Sequence, residues 1–210
     1  DNEEVPIMDG SSKEFINVFE NKILNNQIKK RKYLKILNKI QLLDGKREIS
    51  IEPNHSSLKV NFQLNYNNEI IGKQKNIVDF LKDNLDDVIS SRTFCLFDDI
   101  EKIKKLGLAK GGSLENAVVV DDKKVLNKNG LRNEKEFVNH KILDLAGDFL
   151  LSGYRILGDV TCYQGGHELT NLFLRKIFSK SDDFKIIELN EFEISKKLPS
   201  KQLEKLAVNA

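Results

Sequence analysis

Ile40-Gln41-Leu42-Leu43-Asp44-Gly45-Lys46-Arg47-Glu48-Ile49-Ser50-Ile51 is the stretch that decides the fold class. Asp44-Gly45 sits between two apolar-rich runs and is the strongest hairpin signal in the chain, because glycine adopts the left-handed backbone that a tight turn demands. Upstream, Leu34 and Ile36 join Ile40 and Leu42 in one expected strand. Downstream, Ile49 and Ile51 alternate on a return strand that stops at Pro53, since proline cannot donate to a ladder. Antiparallel strands followed by helices make an α+β chain, a sheet packed on helices as a two-layer sandwich.

Further along, Leu58, Val60, Phe62 and Leu64 alternate with polar residues, the mark of a half-buried strand. Asn67-Asn68 reads as a turn, with Ile70 and Ile71 opening the next strand. Residues 77–89 read as a helix with Ile77, Phe80, Leu81, Leu85, Val88 and Ile89 on one face. Residues 91–97 read as a buried strand, and Asp98-Asp99 as the cap of a helix through Ile100, Ile103 and Leu106 that Gly107 ends. A short strand is expected at 117–120, the longest helix at 133–151, a strand at 154–162 and a helix at 167–178. Ahead of the sheet, Phe15, Ile16, Phe19, Ile23 and Leu24 have helical spacing. The basic run Lys29-Lys30-Arg31-Lys32 has two readings, a solvated linker or a contact for an anionic partner.

A chain of 210 residues, 40% hydrophobic, can build a real core in one or two domains. Lys plus Arg is 34 and Asp plus Glu is 32, so the net charge of +2 gives no ground for a nucleic-acid coat. Two cysteines, Cys95 and Cys162, cannot form a disulfide framework and suit a reducing compartment. No apolar run approaches the ~20 residues of a membrane helix. The opening Asp1-Asn2-Glu3-Glu4-Val5-Pro6 has neither the basic nor the apolar region of a signal peptide. A start at Asp1 reads as the remainder of a longer protein.

Only three histidines exist, His55, His140 and His167, so metal or acid–base chemistry must use them. On the long helix His140 and Asp144 stand four residues apart, and Asp148 four further on, all on one stripe. An imidazole and a carboxylate on adjacent turns are a sound pair of zinc ligands, though a surface helix could pair them by hydrogen bonds alone. Tyr163-Gln164-Gly165-Gly166-His167-Glu168 puts His167 at a helix start, where the dipole disfavours its cationic form and a carboxylate such as Asp148 would restore it. His167 is thus a candidate general acid or base, or else a capping residue. Residues 107–113 fall short of a P-loop, because Ser113 stands where a lysine is required. His55 reads as exposed in a turn and Cys95 as core.

Several short motifs keep a fixed order: Met8-Asp9-Gly10-Ser11, Ser91-Arg92-Thr93-Phe94, Gly111-Gly112-Ser113, Val119-Val120-Asp121-Asp122, Val125-Leu126-Asn127, Gly130-Leu131-Arg132, Glu136-Phe137-Val138 with His140-Lys141, Leu143-Asp144 and Gly147-Asp148, and Gly166-His167 with Leu169 and Asn171. Together they resemble the UDP-3-O-acyl-N-acetylglucosamine deacetylases, zinc amidohydrolases at the committed step of lipid A biosynthesis. The resemblance runs from about Val5 to Phe178. It implies two similar α/β domains, with residues 1–31 the end of the first and 32–210 the whole of the second. It also implies an insert at about 97–121 that forms an acyl-chain passage, with Ile100, Ile103, Leu108, Ala109, Leu114, Ala117 and Val119 as wall candidates. Ordinary core packing would use the same residues.

Carried over by motif, the resemblance makes His140 and Asp144 two of three zinc ligands. Thr93 becomes the hydroxyl that stabilises the oxyanion. His167 becomes the histidine that stabilises that charge and protonates the leaving amine, with Asp148 orienting it. Phe94 and Lys141 become substrate contacts, and Lys46 or Arg47 meets the UDP phosphates. The implied substrate is a small UDP-linked acylated amino sugar, and the implied compartment is the cytoplasm. Two features depart from the pattern. The third zinc ligand and the general base belong to a Glu-His-Leu motif upstream of the Met-Asp-Gly-Ser turn, and no Glu-His pair occurs in this sequence. Gln164 stands where the family often has a basic residue. A missing N-terminal half of the first domain accounts for the first departure. A non-catalytic domain that binds a nucleotide sugar or an acyl ligand is the alternative. The isolated chain is expected to have little or no activity.

Overall fold

The computed structural model describes residues 6–20, 29–107 and 109–189, with the side chain of Glu20 left aside. In chain order the elements are α1 (Lys13–Glu20), β1 (Arg31–Ile36), β2 (Ile40–Asp44), β3 (Arg47–Pro53), β4 (Leu58–Asn65), β5 (Lys73–Asp79), α2 (Asp86–Ile89), β6 (Phe94–Leu96), α3 (Ile100–Lys105), β7 (Val118–Val120), α4 (Glu136–Phe149), β8 (Arg155–Tyr163), α5 (His167–Phe178) and β9 (Phe184–Leu189). This is an α+β chain with a mixed sheet. It divides into two compact units. The first takes the described residues of Asp1–Ile23, Gln63–Asn76 and Leu85–Leu143; the second takes those of Leu24–Phe62, Ile77–Asn84 and Asp144–Ala210.

In the second unit the hairpin forms as its sequence dictates. Asp44 pairs with Arg47 across β2 and β3, and Gly45 turns with φ +60°. β8 is the central strand. It runs parallel to β1 through Arg155–Leu157 and antiparallel to β3 through Gly158–Tyr163. Gly158 is required where the partner changes, because a Cβ there would strike the Ile51 side chain. β9 closes the edge against β1, with Leu34 opposite Ile186. α5 packs on β2 and β3, and the periodicity of Leu169, Phe173 and Ile177 with Leu174 buries one face of it. Leu34, Ile36, Ile49, Ile51, Val60, Phe62 and Cys162 of the sheet are buried as well. The Phe149 and Phe173 rings stack at 6.5 Å. Burial pushes the Cys162 thiol up to about 12, so it packs as an inert small hydrophobe.

In the first unit β6 and β7 form a parallel pair, Phe94 opposite Val118 and Leu96 opposite Val120, joined through α3. The strand–helix–strand excursion expected from the sequence is therefore present. Val118, Val119 and Val120 are buried with Val88, Phe137, Val138 and Ile142. Gly10 holds φ +82° against the Asn116 carbonyl, where a Cβ would collide with backbone.

Several expectations fail. Leu34, Ile36, Ile40 and Leu42 lie on two strands, not one, because the chain turns at Leu37–Lys39, where the Leu37 and Asn38 amides donate to the Asp183 carbonyl. Ile70 and Ile71 do not open a strand. They sit in a turn whose amides donate to the Asn68 side chain, and β5 begins at Lys73. The helix expected over 77–89 is instead the end of β5, a turn, and the four-residue α2. Ile77 and Val78 are β-branched and prefer the strand. Asp79 then stops it: its carboxylate accepts the Leu81 amide and its carbonyl accepts Lys82 and Asp83. Residues 91–97 shrink to a three-residue half-buried strand, and Asp99 makes no side-chain cap, pairing with Lys102 instead. Ile23, Leu24 and Leu108 lie outside the described residues.

Candidate active site

α4 carries the central residues, and its start is buried. Phe137, Val138 and Ile142 are fully enclosed, and Glu136 is as well. His140, 9% exposed, lies on this face one turn after Glu136. Its Nδ1 is 3.1 Å from the Ser91 carbonyl oxygen. A carbonyl only accepts, so Nδ1 carries the proton and the lone pair of the neutral ring is on Nε2. A backbone carbonyl on one nitrogen that fixes the tautomer and aims the other is the usual support of a metal-binding histidine. Asp144 follows four residues later on the same helix.

Thr93 is half-buried and its backbone is pinned at both ends. Its amide donates to the Gly10 carbonyl and its carbonyl accepts from the Val118 amide, each at 2.8 Å. The next residue, Phe94, sits edge-on to Phe137 at 5.0 Å and to Tyr66 at 5.9 Å, and its ring lies 6.5 Å from the His140 ring. The Lys141 ammonium rests 5.6 Å above the Phe94 ring. Phe94 and Lys141, which the resemblance makes substrate contacts, thus lie against each other. Tyr66 was missed: it lies in the turn after β4, with no motif to mark it.

A buried charge network underlies this group. Arg92 donates from its backbone amide and from Nε to Glu136 Oε1, at 3.1 and 2.8 Å, and from Nη2 to Oε2. The Arg132 amide donates to Oε2 at 2.6 Å. Arg132 in turn pairs with Asp9 at 2.8 Å and bonds the Ser11 hydroxyl and the Ser90 carbonyl. Partial burial raises the Asp9 carboxyl, but the Ser11 hydroxyl and amide and the Arg132 guanidinium outweigh it, so Asp9 titrates below the ordinary value. The motifs around Met8, Ser91, Gly130 and Glu136 contain these residues, but their mutual contact depends on the fold.

In the second unit, α5 begins at His167 with Gly166 as extended N-cap. His167 Nδ1 lies 3.0 and 2.9 Å from the two oxygens of Asp148. Its Nε2 is 4.0 Å from an Asp144 oxygen. His167 is 68% exposed at the side chain, whereas Asp144 and Asp148 are each 17% exposed. A sheltered carboxylate therefore orients a ring that stays open to a ligand. Arg47 is engaged by Asp44 and, at 3.1 Å, by Glu168, the neighbour of His167. Lys46 is exposed in the hairpin turn.

Within the excursion, Ile100, Ile103 and Ala117 are half-buried, Ala109 and Leu114 are exposed, and Val119 is buried. Cys95 is half-buried in β6; burial first, then Asp99, raises its thiol, which disfavours the nucleophilic thiolate. His55 is exposed, as expected. Among the described residues no three or more His, Cys, Asp or Glu side chains are grouped to hold a metal ion. Among those residues, too, no helix is long and apolar enough to cross a membrane.

The family model described as "LpxC: UDP-3-O-acyl N-acetylglycosamine deacetylase" matches residues 1–179. Curated relatives carry the name UDP-3-O-acyl-N-acetylglucosamine deacetylase. That from Nitratiruptor sp. is 36% identical over 189 residues, 90% of this chain and 63% of the relative. That from Campylobacter hominis is 36% identical over 192 residues, 91% of this chain and 65% of the relative. That from Syntrophotalea carbinolica is 38% identical over 192 residues, 91% of this chain and 62% of the relative. The chain thus spans somewhat under two thirds of the length of these relatives. With a family match over most of its residues, the chain belongs to the UDP-3-O-acyl-N-acetylglycosamine deacetylase family.

Proposed function

We propose that this chain carries the larger part of a zinc-dependent amidohydrolase. It removes the N-acetyl group of a UDP-3-O-acyl-N-acetylglucosamine, the committed step of lipid A biosynthesis. In this reading residues 1–31 end a first domain and residues 32–210 form a second. The observation that carries it is the His167–Asp148 pair. An exposed imidazole is held on both oxygens of a sheltered carboxylate, with Asp144 beyond its other nitrogen. His140, oriented by the Ser91 carbonyl, adds a nitrogen donor of the kind zinc takes.

His140, through Nε2, and Asp144 would hold the metal. When bound, zinc supplies an activated water at neutral pH and polarises the amide carbonyl. Asp148 accepts a hydrogen bond from Nδ1–H of His167, and the ring in its cationic form would carry on Nε2 the proton delivered to the departing amine nitrogen. Thr93 donates its hydroxyl to the oxyanion, a contribution of roughly 3 kcal/mol for such a donor. Phe94 and Lys141 contact the substrate, Lys46 or Arg47 meets the phosphates, and Ile100, Ala109, Leu114 and Ala117 line the way for the acyl chain, with Leu108, outside the described residues, assigned there by the resemblance alone. Arg47 must exchange Glu168 for a phosphate to do so. The third ligand and the base belong to the Glu-His-Leu motif that these 210 residues lack. Two free thiols suit the cytoplasmic setting of the reading.

Zinc binding by the purified chain tests the ligand assignment. The expected result is one zinc, loosely held, that a modest chelator removes, with His140→Ala and Asp144→Ala each abolishing binding and with little or no deacetylation. Zinc retained by both variants would refute the assignment, as would full turnover by the chain alone. Tight nucleotide-sugar binding without zinc would favour a non-catalytic module.

A further inference from the structure

One peptide group is gripped at both ends by α4. Its carbonyl, that of Ser91, accepts the His140 Nδ1 proton, and its N–H, that of Arg92, donates to Glu136 Oε1. Glu136 and His140 are one helical turn apart on the same face of α4. The carbonyl and N–H of a trans peptide point in opposite directions and rotate together. Any tilt of this plane that weakens the bond to Glu136 also moves the acceptor of His140. The same segment continues directly into Thr93, held by the Gly10 carbonyl and the Val118 amide.

We propose that Glu136, with Arg92, is a positioning residue: it clamps the 91–92 peptide and thereby fixes the tautomer and aim of His140 and the placement of Thr93. The proposal deepens the deacetylase reading and rests on it for the roles of those two residues. Stability alone is a poor account of this carboxylate. A buried ion pair carries a heavy desolvation cost and is often replaceable by apolar side chains without loss. Here its two oxygens take four donors, two of which are backbone amides, Arg92 and Arg132. The carboxylate therefore fixes chain geometry as well as balancing a charge. Ser91 is held from its other side as well: its hydroxyl donates to the Asp87 carbonyl and accepts from the Asn133 side chain.

The test uses the 210-residue chain at a pH where the imidazole is neutral. Long-range proton–nitrogen NMR reads the His140 tautomer, and chelator competition reads zinc affinity. In the wild-type chain His140 is expected as the Nδ1–H tautomer; the Nε2–H form would overturn the proposal outright. Glu136→Gln keeps the shape but faces the Arg132 amide or the Arg92 guanidinium with an NH2 group, and it leaves a buried charge unpaired. The double variant Arg92→Met with Glu136→Leu removes both charges at similar volume, so it guards against a failure to fold. In the folded double variant the tautomer is expected to become mixed and zinc affinity to fall about 10–100-fold, the range for losing an outer support. A native melting temperature with the Nδ1–H tautomer kept and zinc affinity within about twofold of wild type would mean that the pair is only structural. His140→Ala separates this outcome from failure of the deacetylase reading. If it binds zinc like the wild type, the ligand assignment is wrong, and the clamp then stands or falls on the tautomer alone.

Discussion

Asp9 illustrates how a single titrating group reports on the first unit. Its carboxylate holds the Ser11 hydroxyl at 2.8 Å and the Arg132 guanidinium at 2.8 Å. Because its folded-state value lies below the ordinary one, the charged form is favoured by folding. That contribution is complete above the ordinary carboxylate range and disappears as pH falls through the lowered folded value. Asp9→Asn should therefore cost stability at pH 7, and the difference from wild type should shrink as pH drops toward 3. Urea unfolding of both proteins at a series of pH values measures this, and a difference that stays constant or widens in acid would refute it. The sequence offered Met8-Asp9-Gly10-Ser11 as a turn. The role of the glycine there depends on the approach of Asn116, a residue more than a hundred positions away.

At the scale of elements, strands with alternating burial and helices with a clear apolar face could be read directly. The hairpin at Asp44-Gly45, β4 and α5 are examples, since each follows from a period of 2 or 3.6 set by backbone geometry. Residues 77–89 could not be read this way. Their apolar spacing fits a helix, but the outcome turns on β-branching at Ile77 and Val78 and on Asp79 capturing the chain in a turn. β7 shows a further dependence. Three valines pair there with β6, and Asn127 supports them: its side-chain oxygen accepts the Val119 amide while its nitrogen donates to the Leu114 and Ala117 carbonyls. Asn127 is buried, so water replaces these bonds poorly. Asn127→Ala should cost about 2–4 kcal/mol, because it strands one amide and two carbonyls. Chemical denaturation checks it; a loss below about 0.5 kcal/mol, the level of a neutral surface change, would contradict this account of β7.

For the whole molecule, the motif residues could be picked out before their arrangement could. His140, Asp144, Asp148, His167, Thr93, Phe94 and Lys141 are all legible in the sequence or its motifs, as is the pairing of Asp148 with His167, whereas the Phe94–Lys141 contact follows only from the fold. The supports could not be seen: Ser91 acts through a carbonyl that every residue has, and Arg92 and Glu136 meet 44 positions apart. Length is the other whole-molecule fact. The chain covers 63% of the Nitratiruptor relative, and the proposed third ligand and base lie in a motif the chain does not contain. The most direct measurement joins the first third of that relative to this chain and assays deacetylation of a UDP-3-O-acyl-N-acetylglucosamine. The account predicts zinc-dependent turnover by the chimera, lowered about 10²–10⁴-fold by His167→Ala, the span of a general acid–base contribution. A folded chimera that binds zinc and substrate without turnover, or whose turnover ignores His167→Ala, would contradict it.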